Sequence, residues 1–113
     1  MTENVAAEKS GCAEGEKAMP KGYIVARVTV NDPVAYAEYA KGAGEAMKIY
    51  GVRVLARGGR HEALEGEARA RNVILEFDSF EKAHAYFYSS EYQAAKKHRD
   101  GKAIGEFVLV EGV

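Results

Sequence analysis

The segment from Asn31 to Gly51 constrains the fold of this chain more than any other, because both of its ends are marked. Asp32 is a favourable N-cap, Pro33 suits the first helical position, and Gly51 supplies a C-terminal stop. Between these ends, apolar residues recur at helical spacing: Tyr36, Ala40, Ala43, Met47 and Tyr50. The pattern predicts a long helix that packs one apolar face against the rest of the protein.

Strand patterns flank this helix on both sides. Residues Tyr23–Val30 before it are mostly β-branched and apolar. After it, Val52–Leu64 and Ala68–Phe77 are predicted as two strands joined by a hairpin turn near Glu65-Gly66. The first of these two strands is predicted to bend or bulge at Gly58-Gly59, directly after Arg57.

The remaining segments predict two short helices and a last strand. Ser79 is a candidate N-cap, and Ser90 with Gln93 has the spacing of a capping box for a further helix. Residues Glu106–Glu111 form the last predicted strand. The order βαββα(α)β is typical of an α+β ferredoxin-like plait, in which an antiparallel sheet carries helices on one face and here has an extra helix before its last strand.

Composition bounds the domain organisation and the partners. We expect one domain over residues 21–113 and a flexible extension over residues 1–20, which lack aromatic residues and have few large apolar ones. A net charge of −1 argues against nucleic acid as a partner, and no apolar run approaches the roughly 20 residues of a membrane span. The single cysteine, Cys12, cannot form an internal disulfide, which favours a cytoplasmic location.

Side-chain alternation predicts that the second face of the sheet is half polar. The residues assigned to this face are Val25, Leu55 and Ile74 together with Arg27, Arg57, Asn72 and Glu76. Such a face is too apolar for solvent and too charged for a closed core. We therefore predict a homodimer in which two sheets close on each other around a barrel-like interior, with a monomer that leaves this face open as the alternative.

Arginines on that face are the first candidate binding group. Arg27 and Arg57 are predicted to converge on a carboxylate or a similar anion. Glu76 shares their face by the same alternation, and it is the candidate catalytic residue. The competing interpretation is a salt-bridge network in which Glu76 only balances the arginines at the dimer interface.

Hydroxyl-bearing residues form the second candidate group. Ser89 and Tyr92 are predicted to donate hydrogen bonds to a ligand near a helix N-terminus, although an ordinary N-cap beside a buried aromatic ring is the favoured alternative. Tyr39 lies beside the main apolar stripe of the long helix and is predicted to form a pocket wall. No metal or cofactor site is predicted, and the basic run Lys96–Arg99 is expected to be a solvated helix face.

Several short motifs, in this order and spacing, resemble the domain of unknown function 1330 family. They are Gly22-Tyr23, Asp32-Pro33, Leu55-Ala56-Arg57-Gly58-Gly59, Leu64-Glu65-Gly66, Glu76-Phe77, Ser89 with Glu91-Tyr92-Gln93, and Val110-Glu111-Gly112. The likeness covers about residues 21–113 and implies a dimeric α/β-barrel fold without an established activity. One position departs from the family pattern, because Ser90 stands where a proline is frequent, which affects helix capping more than chemistry.

These features predict a small homodimer that binds a small anionic or aromatic molecule in a pocket between its sheet and its helices. One alternative is a cofactor-independent enzyme of the dimeric α/β-barrel type, such as an isomerase, a decarboxylase or a monooxygenase-like enzyme, with Glu76 or a tyrosine in acid–base work. A second alternative is a non-catalytic dimer whose buried charges only specify the interface.

Overall fold

Four strands and three helices make up the part of the chain that the computed structural model describes, residues 20–113. In chain order they are strand β1 (Gly22–Val30), helix α1 (Pro33–Tyr50), strands β2 (Arg53–Arg57) and β3 (Arg71–Phe77), helices α2 (Phe80–Phe87) and α3 (Ser90–Lys96), and strand β4 (Ala103–Glu111). The predicted N-terminal extension over residues 1–20, with Cys12, lies outside the described residues except for Pro20.

The sheet has the strand order β2–β3–β1–β4, and every neighbouring pair is antiparallel. The core lies between the helices and one face of this sheet, where β1 contributes Ile24, Ala26 and Val28. Residues 20–113 leave the other face of the sheet uncovered. These observations confirm the predicted α+β ferredoxin-like plait with an extra helix before the last strand.

Helix α1 begins and ends where its capping residues predict. The Oδ1 atom of Asp32 accepts hydrogen bonds from the backbone N–H groups of Val34 and Ala35, both at 3.1 Å. Gly51 ends the helix in the left-handed conformation, with φ of 68°. The buried face is rotated from the predicted stripe, since it consists of Tyr36, Tyr39, Ala43 and Ala46. None of the helices in the described part of the chain is long and apolar enough to cross a membrane.

The predicted hairpin is shorter than the sequence pattern indicates. Strand β2 ends at Arg57 and β3 begins at Arg71, and residues 58–70 form a largely exposed connection without strand structure. Gly58 and Gly59 both have positive φ values, 69° and 80°, which side-chain-bearing residues rarely adopt. The chain therefore leaves the sheet at these two glycines instead of continuing as a strand to Leu64.

A β-bulge interrupts the pairing of β2 with β3. The register shifts at Leu55, so that Ala56 lies opposite Ile74 and Arg57 lies opposite Val73. Val73 packs against the core beneath the helices. Residues opposite each other in an antiparallel pair project from the same face of the sheet. The bulge therefore turns Arg57 toward the helical layer.

This bulge overturns the predicted grouping of the arginines. Alternation without a break puts Arg57 on the same face as Arg27 and Glu76, but the extra residue at position 55 reverses the alternation before Arg57 is reached. Arg27 and Glu76 do lie on the uncovered face, since neither projects into the buried core of the chain. The prediction that Arg27 and Arg57 converge is thus wrong.

Candidate functional site

A pocket that opens to solvent lies between the helical layer and the sheet, with a cavity volume of about 70 Å³. The core-facing residues of β1 and β3 form its floor, and α1 forms its roof with Tyr36, Tyr39 and Met47. Further aromatic walls come from the other helices and from β4: Tyr86, Phe87, Tyr92 and Phe107. Predominantly apolar and aromatic walls of this kind are typical of small-molecule sites.

Two arginine side chains line this apolar pocket. Arg57 reaches it because of the bulge, and Arg71 reaches it from the first position of β3. The guanidinium group of Arg71 lies 5.3 Å from the ring centroid of Tyr36, and its buried Nε atom has no hydrogen-bond partner among the described residues. No carboxylate within residues 20–113 lies within 4.0 Å of either guanidinium group. The pocket therefore carries positive charge without a protein counter-ion from this part of the chain.

A pair of buried tyrosines lies in the same pocket. Tyr39 of α1 and Tyr92 of α3 have their hydroxyl oxygens 2.7 Å apart, and their rings meet edge to face. Burial raises the pKa of Tyr39 far above its usual value, with the neighbouring Tyr92 adding to the effect. Both predicted site residues are thus brought together, and Tyr39 is held as a neutral hydrogen-bond donor.

Arg99 lies behind the two tyrosines. Its Nη2 atom donates to the hydroxyl oxygen of Tyr92 at 3.3 Å, and its guanidinium group stacks on Tyr39 at 5.1 Å and on Phe107 at 4.3 Å. Only 9% of Arg99 is exposed, so the predicted solvated face is wrong at this residue. Helix α3 ends at Lys96, and the turn that follows directs Arg99 inward instead of extending the helix face.

Ser89 does not line the pocket itself but bonds to two residues that do, Tyr86 and Tyr92. Its Oγ atom accepts a hydrogen bond from the backbone N–H of Tyr92 at 3.0 Å and donates one to the carbonyl oxygen of Tyr86 at 2.7 Å. Both bonds lie at the start of α3, where Ser89 is the N-cap. The geometry therefore supports the favoured alternative, a capping serine beside a buried aromatic ring.

The other two candidate residues lie across the sheet from the pocket. Glu76 accepts hydrogen bonds from Arg53 Nε at 2.6 Å and from the Tyr23 hydroxyl at 3.0 Å. These two bonds, that of Arg53 first, hold the pKa of Glu76 below its usual value. Arg27 donates to the backbone carbonyl of Glu67 at 2.6 Å. Arg27 and Glu76 are therefore each satisfied by other groups, and neither lines the pocket.

An apolar row crosses the uncovered face of the sheet. The row takes one residue from each strand: Ala56, Ile74, Val25 and Val108. In the single chain 37% of Ile74 is exposed. Ion pairs flank the row, with Arg53 and Glu76 on one side and Arg69 and Glu106, 2.7 Å apart, on the other. Contiguous exposed apolar surface with a charged rim is a feature of protein interfaces.

The sequence analysis did not identify Arg71 as a pocket residue, although its position in the alternation of β3 indicates one. In β3, Arg71 alternates with Val73, Leu75 and Phe77, the residues predicted to lie beneath the helices, and it is the charged member of that set. A charged side chain on a core-facing position is rare unless something compensates it. Such an exception to the pattern is the observation that points to a site.

The sheet order and the three helices define an α+β protein with a ferredoxin-like fold. Over residues 21–113 the sequence matches the family described as Domain of unknown function (DUF1330). The chain belongs to this family, in agreement with the resemblance of its motifs. Among curated proteins, none matches the chain in sequence.

Solved structures with the same fold come from several bacteria. A protein of unknown function from Rhodopseudomonas palustris has a TM-score of 0.69 and 19% identity, with 83% of each chain covered. A candidate antibiotic biosynthesis monooxygenase from Caulobacter crescentus has a TM-score of 0.59 and 16% identity, covering 85% of this chain and 92% of that one. A dimeric ferredoxin-like protein of unknown function from Thermobifida fusca has a TM-score of 0.57 and 13% identity, covering 82% and 92%. At such identities the likeness shows the fold alone.

Proposed function

We propose that this protein binds a small anionic molecule with an aromatic or other apolar body in the pocket between its sheet and its helices. The observation that carries the proposal is the presence of Arg57 and Arg71 at one aromatic pocket, with no carboxylate of the described residues within 4.0 Å of them. Guanidinium groups bind carboxylates through charge-assisted, often paired, hydrogen bonds. The apolar walls then remove the body of the ligand from water.

The lining residues support binding more than acid–base catalysis. Those that the structure describes include no aspartate, glutamate, histidine or cysteine. Burial raises the pKa of both Tyr39 and Tyr86, which keeps their hydroxyl groups protonated. Glu76, the predicted catalytic residue, lies on the other face of the sheet, so an acid–base step in this pocket needs a group from beyond the described lining.

Benzoate and benzamide are matched probes for this proposal, because they share a ring and differ in charge. In isothermal titration calorimetry we expect benzoate to bind more tightly than benzamide. Arg57→Met and Arg71→Met should each weaken benzoate binding about tenfold or more, the scale of a lost hydrogen bond to a charged group. Arg27→Met removes the same charge from the other sheet face and should leave the affinity unchanged. Equal affinity for the two probes, or a loss in Arg27→Met alone, would contradict the proposal.

We further propose that two copies of the chain pair through the uncovered face of the sheet. The apolar row supplies the area to bury, and the flanking ion pairs supply charges that fix the relative orientation of the two sheets. The dimeric description of the Thermobifida fusca protein, which shares the fold, supports this arrangement.

Sedimentation velocity tests the pairing directly. At micromolar concentration the wild-type protein should sediment as a dimer, and Ile74→Glu should shift it to a monomer, because a charge in the middle of the row is then buried without a partner. Val34→Glu is the matched control, since Val34 is 78% exposed at the start of α1 and lies on the helix side of the molecule. A wild-type monomer at this concentration, or a dimer of Ile74→Glu, would refute the pairing.

A further inference from the structure

The Tyr39–Tyr92 pair leaves one hydroxyl proton without an acceptor. Each tyrosine hydroxyl has one proton to donate, and the pair shares a single hydrogen bond of 2.7 Å. Whichever hydroxyl donates in that bond, the proton of the other has no acceptor among the described residues. Both residues are more than nine-tenths buried and both line the pocket, so the remaining proton is a donor held out of bulk water.

The hydrogen bond from Arg99 determines which of the two hydroxyl protons stays without an acceptor. A guanidinium group donates hydrogen bonds and accepts none, so the hydroxyl oxygen of Tyr92 accepts from Arg99. A donor on that oxygen polarises the O–H group of Tyr92 and makes it the better donor of the pair. Tyr92 therefore donates to Tyr39, and the proton of Tyr39 remains available to a bound molecule.

We propose that Tyr39 donates this hydrogen bond to an oxygen atom of the bound molecule, and that Arg99 is the positioning residue that orients it through Tyr92. The inference rests on the proposed function and narrows the class of ligand. Besides the anionic group at Arg57 and Arg71, the ligand carries a second, acceptor oxygen on its apolar body. An aromatic acid with a carbonyl substituent has both groups.

The two polar ends of the pocket lie on the helix face of the sheet, toward its opposite edges. Arg57 on β2 and Phe107 on β4 share one row of the sheet, three strand spacings apart, which amounts to about 14 Å. Arg99 stacks on Phe107 of β4 at 4.3 Å and so lies at one end of the pocket. Arg71 lies on β3, next to β2, at the other end of the pocket. A single aromatic ring with substituents at opposite positions has the shape to reach from one end toward the other.

Two acids of nearly equal shape test the acceptor oxygen. We expect 4-acetylbenzoate to bind the wild-type protein about three- to tenfold more tightly than 4-isopropylbenzoate, the ratio that one neutral hydrogen bond provides. Tyr39→Phe should make the two affinities equal. Tyr92→Phe and Arg99→Met should each retain part of the preference, since the Tyr39 hydroxyl remains but loses its orientation. Tyr88→Phe, at a largely exposed tyrosine of the same protein, is the matched control and should keep the full ratio.

The ratio of the two affinities is compared within each variant, so a change in stability that affects both acids equally does not alter it. Equal binding of the two acids to the wild-type protein would overturn the inference while leaving the proposed anion site intact. Binding of neither acid would overturn both. Loss of the preference in Tyr92→Phe with its retention in Tyr39→Phe would overturn the assigned direction of the hydrogen bonds.

Discussion

At the scale of single residues, four of the arginines fall into two groups according to what surrounds their charge. Arg53 and Arg69 bind carboxylates at the surface, with nitrogen–oxygen distances from 2.6 to 3.0 Å. Arg71 and Arg99 instead lie against aromatic rings, and each has a buried Nε atom without a partner among residues 20–113. Surface ion pairs stabilise proteins little, whereas a buried cation gains strongly from an added anion. The second group therefore supports the proposed anion site.

The surface pair of Arg53 and Glu76 makes stability depend on pH. Because the pKa of Glu76 is lowered in the folded protein, the stabilisation is present above the usual glutamate pKa of about 4.3 and is lost as the pH falls through the lowered value. We expect Glu76→Gln to reduce the free energy of unfolding at neutral pH and to have no such effect in strong acid. Urea unfolding across this range measures the difference.

Glu62→Gln is the control for that experiment, since Glu62 lies in the exposed connection and forms no ion pair with the described residues. It should change stability little at either pH. A Glu76→Gln effect of the same size in acid and at neutrality would contradict the linkage.

Removing the hydroxyl of Ser89 should cost stability. Ser89→Ala loses the cap of α3 and the hydrogen bond to the Tyr86 carbonyl, and both partners are buried, so we expect a loss of about 1–3 kcal/mol. Ser79→Ala, which removes the more exposed cap of α2, should cost about 1 kcal/mol. Chemical denaturation compares the two. A Ser89→Ala variant as stable as the wild type would refute the capping role.

At the scale of elements, α1 and α3 are in close contact at Gly42. A Cβ atom at this position would lie 2.7 Å from the Cβ atom of Ala95, which is rigidly placed. We expect Gly42→Ala to destabilise the protein by about 1–2 kcal/mol, because the overlap outweighs the gain in helix propensity. Gly44→Ala, with nothing within 4 Å of the added atom, should stabilise it by about 0.5–1 kcal/mol.

Thermal unfolding of these two variants measures the close approach directly, because both replace a glycine of the same helix by alanine. Opposite changes in melting temperature are the predicted result. A stabilised Gly42→Ala variant would show that the two helices can move apart at this contact without loss of stability.

The starts of α1 and α2 were predictable at this scale, because a cap acts on its own helix. Asp32 and Ser79 cap the helices that follow them, as the sequence predicts. The predicted capping box at Ser90 is wrong by one residue, since Ser89 caps α3, which ends at Lys96.

The position of the bulge was not predictable, because register is decided by the partner strand as well as by β2 itself. The glycines after Arg57 indicated an irregularity, but the extra residue lies at Leu55, and that single position decides on which face Arg57 projects.

At the scale of the whole molecule, the two faces of the sheet present different kinds of residues. The helix side encloses the pocket with its arginines and tyrosines, and the other side presents the apolar row between two ion-pair clusters. Sequence alternation predicted the half-polar character of the second face. It assigned Arg57 to the wrong face of the sheet, because the register shift at Leu55 was not predictable. The cytoplasmic location inferred from Cys12 stays a prediction.

A crystal structure of the protein with 4-bromobenzoate tests the central claim most directly, because the anomalous signal of bromine locates the ring. We expect the carboxylate to lie between Arg57 and Arg71 beneath the helices, at hydrogen-bond distances of about 2.7–3.0 Å, with the ring against the aromatic walls. A carboxylate bound at Arg27 on the uncovered face, with the pocket empty, would contradict the account.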